Sequence, residues 1–354
     1  MQDKVSVCSG SLLGMAVGDA MGYTVDGKSW QQIQEDYGPN GLMGYDLVNG
    51  QAEVTSYTQI AAYSANGLLM AISRGRPEQA PRFVAQAMKE WYKRQHFPRD
   101  PEPTPFWVAR LPELRRKFCM DPWLPDAIRQ DSFGTPDALS SRNCYPGALT
   151  VSAMVGLFYD PKRMDLAQLG TLAEQIMSLT HGDKETILCA VTMAYAVASI
   201  ANEPELSLKE QLTRAVERMA RNFSMRYVQA EPLADFLRRA IRTAETAEDP
   251  QKVLEEMTCN KASQCLAGAM FAALTHSEDF DSAMILAVNH SGRSAAVGAL
   301  TGALLGGRLG DEALPEFYLE SLEPLGALQE LAKDLSVGSP TAGLFDDVWA
   351  HKYS

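Results

Sequence analysis

The sequence predicts an almost entirely α-helical protein, and three observations lead to this prediction. Helical signals dominate the 354 residues. Few segments alternate with the two-residue period of a strand, and few are rich in β-branched side chains. The chain is 46% hydrophobic and 21% charged, which is ordinary for a globular protein, so disorder is expected only at the ends. The predicted fold class is therefore all-α.

Helical patterns follow one another along most of the chain. The predicted helices cover residues 4–22, 29–37, 58–74, 80–95, 146–158, 165–180, 184–202, 207–221, 230–246, 250–257, 261–275, 279–289, 294–309 and 325–334. The most apolar stretch, residues 187–200, is too short and too mixed in composition to span a bilayer. We therefore expect it to be a buried central helix.

Residues 97–145 are the least helical part of the chain. Prolines recur there at positions 98, 101, 103, 105, 112, 122, 125 and 136. Long irregular segments of this kind often shape a binding site, and they can equally form an oligomer contact. No linker separates two cores, so residues 1–354 are predicted to form one domain.

Glycine recurs every four residues near both ends of the chain. The positions are Gly10, Gly14, Gly18, Gly22, Gly298, Gly302, Gly306 and Gly310. On a helix this spacing makes a ridge without side chains, which lets another helix approach closely. Each glycine inside a helix costs about 0.5–1 kcal/mol relative to alanine, so eight of them need a packing reason. We expect the two segments to lie at the centre of the fold, close to each other or to the long apolar helices.

Charge and cysteine usage limit the partners and the compartment. The net charge of −12 disfavours nucleic-acid binding, and the short basic run at residues 115–117 is expected to be a solvated face. None of the six cysteines forms a CxxC pair, which favours reduced thiols over a disulfide framework. The first residues do not resemble a signal peptide. We therefore predict a cytoplasmic protein without nucleic-acid or membrane partners, of unknown oligomeric state.

Four short segments, polar and rich in small residues, lie at predicted helix ends and are the candidates for chemistry. They span residues 18–26, 53–59, 180–183 and 289–296. Together with neighbouring runs they resemble the ADP-ribosylglycohydrolase family of the dinitrogenase-reductase-activating type. The runs that carry the resemblance are GSLLGMAVGDAMG, GPNGLMGYDLVNG, GALTVSAMVGLFYD, THGD and AVNHSGRSAAVGALTGALLGG, and their order matches as well.

The resemblance covers most of the chain and implies a specific fold and activity. It implies a compact, orthogonal multi-helix bundle with a cleft for ADP-ribose. Members of the family use two magnesium ions to cleave the glycosidic bond that joins ADP-ribose to an acceptor. The small-molecule partner implied is thus ADP-ribose or an ADP-ribosylated substrate.

The sequence departs from the family at the metal ligands. The family's Thr-Asp-Asp-Thr motif reads Thr55-Ser56-Tyr57-Thr58 here, and its Gly-Asp-x-Asp-Thr motif reads Gly292-Arg293-Ser294-Ala295-Ala296. Both motifs have lost both aspartates. The acidic residue after the first glycine motif, usually glutamate, is Asp26. Magnesium needs oxygen ligands anchored by carboxylates, so we predict no metal and no cofactor.

Arg293 adds positive charge where the family has metal ligands. It could pair with Asp26 or Asp19, or grip a phosphate or carboxylate with two N–H donors. Ser56 and Gln59 fit a capping box, and Ser294 could cap the helix that begins near Ala295. Two helix N-termini would then face the cleft without acidic neighbours, and such ends attract anions. The alternative is loss of the site, with serines as caps and Arg293 in an internal salt bridge.

The candidate residues follow from these motifs and from the resemblance. Asp26 and Asp19 are the candidate catalytic groups, although a buried aspartate such as Asp19 is more often a structural acceptor. The resemblance places His181 near the ligand ribose and the loop containing Asn143 and Gly147 near the diphosphate. The candidate ligand-binding residues are Thr55, Ser56, Tyr57, Asn143, Gly147, His181, Asn289, Ser291, Gly292, Arg293 and Ser294.

Two functional hypotheses remain open at this point, beside a purely structural role. The first is a pseudoenzyme that binds ADP-ribose or a similar anionic ligand without metal. The second is a hydrolase with altered chemistry, in which Asp26 and Asp19 act as general acid and base and Arg293 stabilises developing charge. The second requires one carboxyl group with a raised pKa.

Overall fold

The computed structural model describes residues 3–97, 103–117, 120–122, 124–129, 133–139, 141–338 and 347–353. Within these residues the protein is built from α-helices and short 3-10 turns, and β-structure is limited to isolated bridges. The helices are α1 (Lys4–Tyr23), α2 (Trp30–Tyr37), α3 (Ser56–Ser73), α4 (Ala80–His96), α5 (Leu124–Arg129), α6 (Leu149–Phe158), α7 (Leu166–Ser178), α8 (Lys184–Asn202), α9 (Leu208–Phe223), α10 (Ala230–Thr243), α11 (Pro250–Glu256), α12 (Ala262–Thr275), α13 (Phe280–Val288), α14 (Ser294–Leu309), α15 (Glu316–Glu320), α16 (Leu325–Val337) and α17 (Asp347–Tyr353). The all-α prediction is confirmed, and every helix predicted from the sequence is present.

The glycine ridges of α1 and α14 pack directly against each other, which is one of the two arrangements that the sequence predicted, although Gly310 lies just after α14 and not inside it. The two helices run antiparallel, so that Gly10 meets Gly306 and Gly18 meets Gly298. A Cβ atom added at Gly18 would lie 2.0 Å from the carbonyl oxygen of Gly298, and one added at Gly302 would lie 1.9 Å from that of Gly14. Only hydrogen at these positions allows the two backbones to touch. This contact holds the end of α1 beside the start of α14.

The other long helices surround this pair. Helix α3 packs against α4 and α6, and α8 packs against α6, α7 and α9. By length and composition alone, α1 and α8 would be long and apolar enough to cross a membrane, so the sequence-based exclusion of a span at residues 187–200 does not hold for the whole of α8. In each case more than four-fifths of the apolar window is buried inside the protein, 89% for α1 and 83% for α8, which is also typical of core helices. The prediction that residues 187–200 form a buried helix is confirmed.

The structure adds short elements that the sequence did not reveal. Helix α5 lies inside the proline-rich segment, which also forms 3-10 turns at Trp107–Arg110 and Pro112–Leu114. Pro98 and Pro101 lie outside the described residues. Helix α17 follows at the end of the chain and contacts this segment, because the indole Nε1 of Trp107 donates to the Tyr353 hydroxyl over 3.1 Å. The proline-rich segment is therefore partly integrated into the helical core.

The cysteines that the structure describes are free thiols. Cys8, Cys189, Cys259 and Cys265 are buried, and Cys144 is partly exposed. Burial raises the pKa of the Cys8 and Cys259 thiols to about 12, so both remain protonated at neutral pH. Cys119, which the sequence analysis counted with them, lies outside the described residues.

Candidate functional site

Asp19 lies near the end of α1 and holds the first turn of α3. Its Oδ2 accepts hydrogen bonds from the backbone N–H groups of Thr55 (2.9 Å) and Thr58 (3.1 Å). The hydroxyl groups of the same two threonines donate to Oδ1 and Oδ2 over 2.6 and 2.7 Å. Burial raises the pKa of the Asp19 carboxyl to about 6, against the opposing effect of these four hydrogen bonds. The structure thus gives Asp19 the role of a helix cap, the structural alternative considered for it.

The capping box predicted at the start of α3 is wrong. The helix begins at Ser56, and Thr55 is its N-cap, with Oγ1 accepting from the Tyr57 N–H. The Ser56 hydroxyl instead accepts from the backbone N–H of Met120 over 2.9 Å. The Gln59 side chain turns away from the helix start and accepts from the Trp91 indole over 3.1 Å. The local pattern failed because distant partners satisfy the groups it would have paired.

Asp26 performs the same function for α14 that Asp19 performs for α3. Its Oδ1 accepts from the backbone N–H of Ala295 over 3.1 Å, and its Oδ2 accepts from Nη1 of Arg293 over 3.2 Å. Ser294 is not a cap, contrary to the prediction, because it is the first helical residue and donates its hydroxyl to the His290 carbonyl. Burial raises the pKa of Asp26, and the Ala295 N–H and Arg293 oppose this effect.

The two helix N-termini therefore differ from the sequence expectation. We expected them to have no acidic neighbours, yet each has a carboxylate bound to its first backbone N–H groups. Asp19 occupies the end of α3 and Asp26 that of α14. Both carboxylates already supply the negative charge that a helix N-terminus favours. Anion binding by free helix ends is thus not available here, and any anion has to be bound by side chains.

Arg293 is the side chain best placed to bind one. Its guanidinium pairs with Asp26 and lies over the ring of Tyr145, with 5.1 Å from Cζ to the ring centroid. A longer hydrogen bond of 3.5 Å joins Nη2 to the Tyr145 hydroxyl. The Arg293 side chain remains 26% exposed, whereas that of Asp26 is 4% exposed. Of the partners that the sequence analysis left open for Arg293, the structure pairs it with Asp26, and part of the Arg293 side chain reaches the surface.

Tyr57 stands at a position where the family has an aspartate. The residue is 1% exposed, and its hydroxyl group has no hydrogen-bond partner among the residues that the structure describes. Burial raises the pKa of this phenol well above its usual value; the nearby carboxylates of Asp26 and Asp121 raise it further, and Arg293 opposes them. Tyr57 is therefore a neutral hydrogen-bond donor close to the Arg293–Asp26 pair. We refer to Asp26, Tyr57, Tyr145 and Arg293 as the Arg293 site.

A second buried polar cluster lies beside this site. Nδ2 of Asn143 donates to Oδ2 of Asp121 over 2.8 Å and lies 3.2 Å from Nε2 of His181. Nδ1 of His181 lies 2.9 Å from the Thr180 hydroxyl. A Cβ atom at Gly147 would lie 2.4 Å from Oδ2 of Asp121, so only glycine fits there. The structure thus brings together the predicted residues Asn143, Gly147 and His181.

Asp121 is the residue of this cluster that sequence reasoning missed. It is fully buried, 3.6 Å from His181, and it also accepts from the backbone N–H of Leu124 over 3.2 Å. Its only sequence signal is an acidic residue inside the proline-rich segment, between Met120 and Pro122. Nothing local marks such a residue as buried, because long-range contacts determine its burial.

The remaining predicted residues hold the loop before α14 in place. The Asn289 amide exchanges hydrogen bonds of 2.8 and 2.9 Å with the backbone of Leu42. The Ser291 hydroxyl accepts from the Trp30 N–H and donates to Glu255. Gly292 packs against the backbone of residues 258–259, where a Cβ atom would lie 2.5 Å from the Thr258 carbonyl oxygen. These residues position Arg293 rather than present free groups of their own.

The residues at the family's metal positions do not fit two magnesium ions. Asp19 and Asp26 already accept hydrogen bonds on both oxygens, and Arg293 brings a positive charge beside them. Within the described ranges of the chain, no three His, Cys, Asp or Glu side chains come together as a metal site would require. Magnesium requires several oxygen ligands, usually anchored by carboxylates. Ser56 and Tyr57 supply no such charge.

Three comparisons relate the chain to known proteins. A family model described as ADP-ribosylglycohydrolase matches residues 2–343. A protein of Archaeoglobus fulgidus, described as uncharacterized, is 26% identical over 343 residues, covering 95% of this chain and 96% of that protein. A solved structure described as an ADP-ribosylglycohydrolase-related protein complex is similar, with a TM-score of 0.60 and 23% identity. The similarity extends over 96% of this chain and 99% of the chain in that structure. At 23% identity the similarity supports the fold alone.

Proposed function

We propose that this chain, which belongs to the ADP-ribosylglycohydrolase family, is a metal-independent member that binds ADP-ribose or a similar anionic nucleotide or sugar ligand. We further propose that it has lost the hydrolase activity of the family. The observation that carries both proposals is the Arg293–Asp26 ion pair, which stands where the family has metal-binding carboxylates.

The charge of the site supports ligand binding without metal. In the family, divalent cations supply the positive charge. Here the guanidinium of Arg293 supplies it, held in place by Asp26 on one side and by the ring of Tyr145 on the other. A guanidinium has five N–H donors in a fixed plane, and only some of them face Asp26 and Tyr145. The remaining N–H groups can therefore donate to an oxygen of a ligand.

The hydrogen bonds of the carboxyl groups support the loss of hydrolysis. Family chemistry needs a carboxylate or a metal-bound water that is free to move a proton at the reacting centre. Both oxygens of Asp19 are bound by Thr55 and Thr58, and both oxygens of Asp26 are bound by Arg293 and Ala295. Neither carboxylate is placed as a free general base.

Calorimetry tests the proposal directly. ADP-ribose is titrated into the protein in the presence of chelator and, separately, with magnesium. We expect the same affinity in both conditions and no release of ADP-ribose from a mono-ADP-ribosylated peptide. Arg293→Gln is expected to weaken binding at least about tenfold, because a charge-assisted hydrogen bond is lost.

Arg214→Gln is the matched control for that variant. Arg214 also pairs with one carboxylate at 3.2 Å, that of Glu203, but it lies on α9 and is not part of the Arg293 site. The affinity of the Arg214→Gln variant for ADP-ribose should equal that of the unmodified protein. Binding that requires magnesium, or equal binding by both arginine variants, would contradict the proposal.

The raised pKa of Asp26 favours a second candidate, a hydrolase that works without metal. A protonated Asp26 could donate a proton to the leaving group, and Arg293 could stabilise developing charge. Burial is the largest influence on this pKa, and it acts in the required direction. Release of ADP-ribose from the modified peptide in chelator, abolished by Asp26→Asn, would support this candidate and exclude the first one.

A further inference from the structure

The Tyr57 hydroxyl is a buried polar group for which the described part of the chain supplies no partner. Tyr57 lies in the first turn of α3, is 1% exposed, and its hydroxyl makes no hydrogen bond to any described residue. A buried hydroxyl without a partner typically costs about 1–3 kcal/mol. The rest of the residue is firmly held, because its carbonyl oxygen accepts from the Thr150 hydroxyl over 2.7 Å. The hydroxyl is therefore able to donate to a group that comes from outside the chain.

The groups around Tyr57 leave donors free rather than acceptors. Both Asp26 oxygens accept hydrogen bonds from within the protein, from Ala295 and Arg293. The nearby Cys265 is fully buried and remains a neutral thiol, since burial raises its pKa, and it donates to the Cys259 carbonyl over 3.2 Å. The phenol O–H of Tyr57 and the remaining N–H groups of Arg293 are therefore the donors that this site can offer to a ligand.

We propose that Tyr57 and Arg293 together bind an oxyanion of the ligand, a phosphate or a carboxylate, at the place where the family has its metal ions. One ligand oxygen accepts from the Tyr57 hydroxyl, and another accepts from the guanidinium. This inference rests on the proposed function and makes it more specific. The ligand is then expected to carry an anionic group on its terminal ribose, at the end where the family cleaves the glycosidic bond.

The neighbouring carboxylate does not prevent this arrangement. Asp121 accepts from Asn143 and Leu124 and lies 3.6 Å from His181, so its charge is engaged within the second cluster. Tyr57 lies in the first turn of α3, and α3 contacts α14, which begins directly after Arg293. A neutral phenol beside a guanidinium is a donor pair, which suits oxygen acceptors and disfavours cations.

Two tyrosine variants on the same helix separate a ligand contact from a structural effect. Tyr57→Phe removes one hydroxyl at the Arg293 site. Tyr63→Phe removes another that is equally buried and equally without a partner, but its charged neighbours are Glu90, Arg115 and Arg94. Neither variant should lower the melting temperature, because each removes an unpaired buried hydroxyl.

The test compares two ligands, ADP-ribose and ADP-ribose that carries a phosphate on its terminal ribose, and uses inorganic phosphate alone as a third probe. We expect the added phosphate to tighten binding about tenfold. Tyr57→Phe and Arg293→Gln should each abolish this gain, and Tyr63→Phe should preserve it. Inorganic phosphate should stabilise the unmodified protein and not the Tyr57→Phe variant.

The outcomes distinguish this inference from the proposed function. Equal affinity for the two ligands would overturn the inference and leave magnesium-independent binding of ADP-ribose standing. Phosphate binding that depends on Tyr57, without any binding of ADP-ribose, would support the inference and overturn the proposed ligand. Loss of the gain in Tyr63→Phe as well as in Tyr57→Phe would contradict a direct contact, as would the absence of binding to all three probes.

Discussion

The guanidinium of Arg293 lies 3.2 Å from Oδ2 of Asp26, and the other oxygen of that carboxylate caps α14 through the Ala295 N–H. One aspartate therefore links the start of α14 to the charged group that replaces the family's metal ligands. Asp26 lies shortly after the end of α1. The glycine contact between α1 and α14 holds these two helices together. The charge of the site thus depends on the central packing of the fold.

The ion pair should couple the stability of Arg293 and Asp26. Arg293→Gln leaves the 4% exposed Asp26 side chain with the Ala295 N–H as its only partner among those described above. We expect it to lower the free energy of unfolding by roughly 1–2 kcal/mol, since Arg293 itself is partly exposed. A double-mutant cycle with Asp26→Asn measures the coupling in urea. Strictly additive effects of the two substitutions would contradict an energetic pairing.

The glycine contact should tolerate no side chain. Gly302→Ala would place a Cβ atom 1.9 Å from the Gly14 carbonyl oxygen, which belongs to a backbone that cannot move aside. We expect a loss of about 3 kcal/mol or more in the free energy of unfolding. Gly326→Ala in α16 is the control, because a Cβ there meets no atom within 4 Å. Its stability should be unchanged or slightly higher, and equal losses in both variants would refute the packing argument.

His290 should make the protein sensitive to acid. Burial lowers the pKa of this histidine from 6.5 to about 4. The unfolded chain therefore binds more protons than the folded one between these pH values, so the stability contributed by neutral His290 is present above about pH 6.5 and is lost as pH falls towards 4. The loss amounts to about 3 kcal/mol. Unfolding free energies of the unmodified protein and His290→Gln, measured across this range, should converge on acidification. Parallel pH profiles of the two unfolding free energies would contradict the lowered pKa of His290.

The buried cluster around Asp121 should be sensitive to loss of its carboxylate. Asp121→Ala removes the acceptor for Asn143 and the partner of His181, and all three side chains are almost fully buried. We expect a loss of about 2–3 kcal/mol in urea denaturation. Asp126→Ala is the control on the neighbouring helix α5, because that side chain is 56% exposed. Comparable losses of stability in the two variants would show that any substitution in this part of the chain is destabilising, and would contradict a specific role of the Asp121 cluster.

Helix positions could be predicted from the sequence because their signals are local. Helix α8 begins and ends at the predicted residues, 184 and 202, since Asp183 caps it by accepting from the Thr186 N–H. The glycine spacing likewise predicted close helix packing from residues four apart. The short helices α5, α15 and α17 were missed because each has only one or two turns of pattern.

The details of the site could be predicted only in part because its partners are distant in sequence. Asp19 caps α3 across 36 positions, and Asp26 caps α14 across 269. Local patterns favoured Ser56 and Ser294 instead, and both predictions were wrong. The Asp26–Arg293 pair was one of the alternatives predicted for Arg293, because an arginine stands at a family aspartate position and Asp26 keeps the family's acidic residue. Asp121 could not be identified, since its surroundings include residues distant in sequence, such as His181 and Gly147.

The most direct test of the account asks whether the site holds a divalent cation. Manganese binding is measured by equilibrium dialysis against millimolar Mn²⁺, with and without ADP-ribose. A variant that restores the family aspartates, with Ser56→Asp, Tyr57→Asp, Arg293→Asp and Ala295→Asp, serves as the comparison. We predict that the unmodified chain retains no bound manganese while it still binds ADP-ribose. Retention of one or two manganese ions per unmodified chain would contradict the account.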